Sequence, residues 1–209
     1  MAPLDVLIAF AIATALFAYF PGPALLYTAA QTLARGRRAG LMAALGIHIG
    51  CYAHVFAATL GLSAVFRYVP EAYTVLKLAG AAYLVWLGIA MLRANNSSAE
   101  VPKVAPKSAR RAFMESIIVE LLNPKVAIFF IAFLPQFVDP AAALPIWAQS
   151  LILGIIVNLA FSSADLVTVF AATAVVKRLR KSDKAEKAAR WIGGSLLIGL
   201  GLKLGADKS

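Results

Sequence analysis

Cysteine and histidine are scarce in this sequence, and acidic residues are outnumbered two to one by basic ones. Cys51 is the single cysteine in 209 residues, which excludes a disulfide framework, a paired-thiol relay and a cysteine-rich metal site. It lies in an apolar run and reads as a small buried side chain. The two histidines, His48 and His54, stand six residues apart on different faces of a helix, too few and too poorly spaced for a metal centre. No glycine-rich phosphate loop opens a helix after a strand. Ser162-Ser163 near Asp165 has no base within its own segment, so no enzyme constellation emerges and no cofactor is implied.

Charge is also scarce. Only 14% of residues are charged and 61% are hydrophobic, where a soluble domain has about half apolar and a quarter charged residues. With a mean hydropathy of +0.81 the chain reads as an integral membrane protein. The net charge of +10 does not point to nucleic acid, because the basic residues sit in connections between apolar segments rather than on one exposed face.

Six apolar segments approach the roughly 20 residues that a helical span needs. They run about 5–32, 39–66, 72–92, 112–137, 147–176 and 189–206, the last interrupted by charge at Arg190 and Lys203. The N-terminus lacks a basic leader region, and the run Val6 to Ala34 is about twice a signal-peptide core, so a retained span is expected. Alternate connections carry 15 of the 20 basic residues: Arg35, Arg37 and Arg38, then Arg93 to Arg111, then Lys177 to Arg190. The positive-inside rule makes those connections cytoplasmic and puts both termini outside.

The linker 93–111, with Asn95-Asn96-Ser97-Ser98 and two prolines among lysines, separates a first half, 1–92, from a second, 112–209, within one transmembrane domain. The halves look like repeats. Lys77, Gly80, Leu84, Leu87 and Gly88 match Arg190, Gly193, Leu197, Leu200 and Gly201 at a constant offset of 113, and Pro21-Gly22-Pro23 answers Asn123-Pro124-Lys125. Three spans per half make the copies antiparallel, the inverted repeat of many secondary transporters, whose sites lie where proline-broken helices meet. The glycines also have a simpler reading, as small residues that let helices approach in lipid; such faces on the third and sixth segments would permit a homodimer.

The chemistry concentrates at mid-membrane. Glu120, Asn123, Pro124 and Lys125 lie within six residues in the middle of the fourth segment, where charge is costly unless paired and an ionisable residue marks a candidate site. Each proline removes an N–H and frees a carbonyl one turn earlier. A site for an amino acid must replace water around a carboxylate and an ammonium. The half-helix N-termini after Pro21-Gly22-Pro23 and after Pro124, with Lys125, suit the carboxylate; Glu120 and Asp165 suit the ammonium or a transported proton. His54 and His48 are weaker proton carriers. The competing reading is a structural salt bridge from Lys125 to Glu120 or Asp165. Tyr19, Phe20, Tyr27 and Tyr52 are candidates for shaping the pocket, and Asn158 and Thr168 for interhelical hydrogen bonds.

Pro21-Gly22-Pro23, Gly46-Ile47-His48-Ile49-Gly50, Gly80 to Gly88 with Lys77 before it, Asn123-Pro124-Lys125 running into Phe133-Leu134-Pro135-Gln136-Phe137, and Gly193 to Gly201 follow in this order along the chain. In that order and spacing they resemble the lysine exporter and homoserine/threonine resistance (LysE/RhtB) family of amino-acid efflux proteins, over essentially the whole chain. The resemblance implies a six-span bundle in the bacterial cytoplasmic membrane that exports amino acids or close derivatives, coupled to protons, with the broken first and fourth spans lining the path. Asp165 falls where family members often carry an aspartate. Glu120 departs from a commonly uncharged polar position, and Phe20 from a small hydroxyl one. The expectation is an all-α, six-span, inverted 3+3 repeat that works as an amino-acid exporter, with export of an inorganic cation as the alternative.

Overall fold

The computed structural model describes residues 2–68 and 109–181 without interruption, together with scattered helical positions between 75 and 93 and between 187 and 206. Lys77, Gly80, Gly193, Arg190, Lys203 and the 95–107 loop lie outside the described residues. Among the described residues all regular structure is helical.

Helix α1 (Leu4–Tyr19) stops where Pro21 and Pro23, on either side of Gly22, remove two N–H donors, and α2 (Pro23–Arg35) restarts with proline at its first position, where no N–H is needed. The two meet at 45°. Gly36 alone joins α2 to α3 (Arg37–Tyr68), and its φ of 80° is the left-handed conformation that favours glycine at a helix end. Helix α4 (Ala109–Leu121) breaks at Leu122-Asn123, and α5 (Pro124–Ala132) restarts on proline, continuing into a 3-10 turn (Leu134–Phe137). This pair also bends by 45°. Helix α6 (Ile146–Lys181) departs from helical angles only at Ala171.

Helices α3 and α6 are each long and apolar enough to cross a membrane, with mean hydropathies of 1.6 and 1.9, and each bent pair passes the same test as one unit. The chain is thus a multi-pass membrane protein. Two boundaries differ from the sequence reading. Arg35, Arg37 and Arg38 are helical rather than in a loop, and α6 runs on through Lys177, Arg178 and Arg180. The apolar run ends where hydrocarbon ends, but Lys and Arg are good helix formers and no Gly or Pro intervenes to stop the ladder.

Helix α3 is central, packed along both α4 and α6. Its glycines set the approach. A Cβ at Gly46 would meet the Phe113 carbonyl and the Ser116 hydroxyl of α4, and one at Gly50 would lie 3.0 Å from the Glu120 Cβ. The third and sixth segments meet in the same way: a Cβ at Gly88 would meet the Gly194 carbonyl, and one at Gly201 the Ala81 carbonyl. These small-residue faces, which the sequence offered to a second copy, are therefore used within the chain. On the other side of α5 runs an aromatic column. Phe129 stacks on Phe17 at 4.1 Å and on Phe133 at 4.3 Å, and Phe133 on Phe137 at 4.6 Å, with Phe10 against both of the last two.

Gly46→Val forces α3 off the α4 backbone and is expected to destabilise by about 1–3 kcal/mol. Gly61→Val, at a position with nothing within 4 Å, is expected to be neutral. Thermal unfolding of the two variants in detergent, read against wild type, checks the contrast.

Candidate functional site

The two helix breaks leave carbonyls without their usual donors, and each break recruits a basic side chain from elsewhere. At the first, the Phe17 carbonyl has lost the N–H of Pro21 and accepts the Phe20 N–H at 3.3 Å instead. Lys125 completes it: its ammonium donates to the Phe17 carbonyl at 3.0 Å and to the Phe20 carbonyl at 2.7 Å, and lies 4.3 Å from the centre of the Phe17 ring. At the second, the Glu120 carbonyl has lost the N–H of Pro124; it accepts the Asn123 N–H at 3.0 Å and pairs with His54 Nε2 at 2.8 Å. A carbonyl can only accept, so His54 carries its proton on Nε2.

The helix starts after the breaks differ. Asn123 caps α5, its side-chain oxygen accepting from the Lys125 N–H at 3.1 Å. Gly22 offers α2 no side-chain cap. The first N–H groups of a helix have no partner within it; those of Ala24 and Leu25 belong to residues that line the cavity below.

Glu120 is fully buried between α4 and the Gly50 face of α3. Its Oε2 accepts from the Asn123 amide at 3.1 Å, whereas Oε1 is buried with no hydrogen-bond partner among the described residues. Asp165, 3% exposed on α6, accepts the Thr28 hydroxyl of α2 at 3.2 Å. Among the described residues no ion pair joins Lys125 to either carboxylate: its nitrogen bonds to main-chain carbonyls. The direct salt bridge weighed from sequence is not what the geometry contains.

Glu120, Asn123, Lys125, Asp165 and Gly22 converge on one cavity, closed on its apolar side by Phe17 and Phe161. It leaves about 30 Å³ for the centres of water molecules, room for about two. Pro21, Pro23 and Pro124 set the breaks without lining the cavity, and His54 stands behind Glu120 against Phe130. The tyrosines stay off it. Tyr19 is half exposed with its hydroxyl at Ser163, Tyr27 donates to Glu115, and Tyr52 packs on His48. Phe20 backs the Lys125 ammonium.

His48 lies 2.6 Å from the Ser162 hydroxyl, a base from another helix that the sequence alone did not place. The Ser162 hydroxyl also lies 2.8 Å from the Asn158 carbonyl, to which it can donate while the histidine donates to it. Asn158 in turn donates to the His48 carbonyl, tying α6 to α3, while Thr168 is buried on α6. Thr28 and Phe161 are site residues that sequence reasoning missed. Neither carries a charge or a motif, and only proximity in the fold marks them.

Comparison with known proteins agrees with this architecture. The LysE type translocator family model matches residues 15–208. The chain is 31% identical over 189 residues to an uncharacterized membrane protein of Pseudomonas aeruginosa, covering 88% of this chain and 87% of the relative. It is 31% identical over 203 residues, 96% of each chain, to the homoserine/homoserine lactone efflux protein of Salmonella typhimurium. It is 28% identical over 187 residues to the leucine efflux protein of an Enterobacter species, covering 88% of this chain and 87% of the relative. No solved structure matches. The chain belongs to the LysE family of translocators.

His54→Leu leaves the Glu120 carbonyl one donor short in a buried setting, an expected loss of about 1–3 kcal/mol. His54→Gln keeps an N–H and is expected to lose less. Thermal unfolding in detergent ranks the three proteins.

Proposed function

We propose that this chain exports an amino acid or a small amino-acid-like metabolite from the cytoplasm, driven by the proton gradient. On this reading it works by alternating access between two inverted three-helix halves. The observation that carries the reading is the complementarity of one cavity to a zwitterion. The Lys125 ammonium and the uncapped start of α2 offer a carboxylate its partners, and Glu120 has one buried oxygen without a strong donor for an ammonium. Asp165, bonded to the half-helix α2, is the second acid and the proton carrier on this reading.

Efflux proteins for homoserine and its lactone and for leucine among the relatives support the substrate class. Equal 45° bends at Pro21-Gly22-Pro23 and at Asn123-Pro124 support the repeat. A cavity with room for about two waters admits an amino acid only after helices separate, the movement that alternating access requires. Pro21, Gly22, Pro23, Asn123 and Pro124 form the cradle of broken helices, with basic connections inside the cell and both termini outside. Export of an inorganic cation has little to rest on: among the described residues, no three His, Cys, Asp or Glu side chains converge.

Proteoliposomes preloaded with labelled amino acids and given a pH gradient test the reading. Gradient-dependent loss of one class of amino acid is expected. Lys125→Ala and Glu120→Gln are each expected to lower the rate by about 100-fold, comparable to the loss of a buried charged contact of ~2.7 kcal/mol. Asp165→Asn is expected to leave exchange of substrate across the membrane while removing the response to the gradient. Retention of every amino acid by folded wild-type protein would overturn the assignment.

A further inference from the structure

We propose that Lys125 exchanges between two main-chain carbonyls and the carboxylate of the substrate, and that this exchange both selects carboxylate-bearing substrates and releases the hydrogen bonds that tie the end of α1 to α5. The proposal rests on the export reading and adds to it a specificity determinant and a trigger.

Two buried carboxylates line the same cavity as Lys125, yet its ammonium donates to neutral carbonyls, those of Phe17 and Phe20. Both exist as acceptors because α1 is broken: in an unbroken helix the Phe17 carbonyl would bond to residue 21 and the Phe20 carbonyl to residue 24. The lysine thus holds the place where α1 was cut, and it does so from α5. It is a tie between the two helices made of a charge and two uncharged oxygens.

A carboxylate is the stronger competitor, because it brings a full negative charge to the ammonium where a carbonyl brings only a dipole, and in a site screened from water that attraction is large. Gly22 lines the same cavity, and a Cβ there would stand 2.7 Å from the Lys125 Cδ and 3.2 Å from its nitrogen, so the absent side chain is what leaves room for the lysine at the break, and an anion in the cavity meets the ammonium there. An anion at that point reaches the lysine and the free N–H groups at the start of α2 together. Once the lysine turns to it, the Phe17 carbonyl keeps its 3.3 Å bond from the Phe20 N–H, but the Phe20 carbonyl keeps nothing that the structure records. The end of α1 then loses its hydrogen bonds to α5 and is held there by the stacking of Phe17 on Phe129 alone. A substrate with the ammonium but without the carboxylate reaches Glu120 and leaves the tie intact.

The experiment uses full-length protein in lipid nanodiscs, spin-labelled at Ile12→Cys on α1 and Ile131→Cys on α5, both exposed, with buried Cys51 left in place. L-homoserine, L-threonine and L-leucine are compared with the corresponding amino alcohols, which lack only the carboxylate. The same panel is run for efflux from proteoliposomes. In wild type, an amino acid that is exported is expected to lengthen the label distance and its alcohol is not, and the alcohol is expected to leave about tenfold more slowly, a difference of about 1.4 kcal/mol. Lys125→Gln is expected to lose the shift and to export acid and alcohol at the same low rate. Gly22→Ala, whose extended backbone alanine adopts freely, pushes the lysine off the carbonyls and is expected to show the lengthened distance without ligand. Equal shifts and rates for acid and alcohol in wild type, or an unchanged preference in Lys125→Gln, would overturn the exchange while leaving export standing. Failure of folded wild type to export any amino acid would overturn the export reading and the exchange with it.

Discussion

The structure depends on satisfying main-chain carbonyls where no water is at hand to do so. A helix that crosses a bilayer closes its own hydrogen bonds, and every break opens acceptors that cost several kcal/mol each if left alone. This chain breaks two helices and answers each break with a basic side chain, Lys125 at the first and His54 at the second. Lys125, on α5, serves the break after α1; His54, on α3, serves the break after α4. The crossing of these two bonds fixes where the rest must lie. It brings α5 against the end of α1, α3 against the end of α4, and the carboxyl of Glu120 between them.

Polarity inside the bundle is arranged around that requirement. Gly46 and Gly50 let α4 lie close enough to α3 for His54 to reach the Glu120 carbonyl. Asn123 serves both sides of the second break, capping α5 with its oxygen and bonding Glu120 with its nitrogen. Asp165 and Thr28 link α6 to α2 in the same layer. The long helices α3 and α6, the second kinked only at Ala171 near the end of its apolar stretch, are the frame against which the bent pairs are set.

Much of this was legible from local chemistry. Pro21-Gly22-Pro23 and Asn123-Pro124 remove donors, so the places where α1 and α4 stop follow from residue type alone, and the order of motifs carried the family. Contacts across the chain were not legible. Lys125 bonds to residues 108 and 105 positions away, and nothing in its neighbourhood distinguishes a carbonyl partner from the carboxylate expected for it. The aromatic column of Phe129, Phe133, Phe137, Phe17 and Phe10 was not read from the sequence, because its continuation through Phe17 and Phe10 depends on the tertiary fold. Helix ends were misplaced where charge was taken as a stop, since hydrophobic length reports the bilayer and hydrogen bonding reports the helix. The faces of Gly88 and Gly194 had no signal to tell an internal neighbour from a second copy.

The aromatic column has one further consequence. It lies on the α5 side of the cavity, leading away from the basic start of α4, and it is built from uncharged rings. An electric field across the membrane does about 2.3 kcal/mol of work per elementary charge at 100 mV, and none on a neutral ring. Parting these phenylalanines is therefore a voltage-independent step. On the export reading, sensitivity to membrane potential enters through Glu120, Lys125, Asp165, the transported proton and the charge of the cargo.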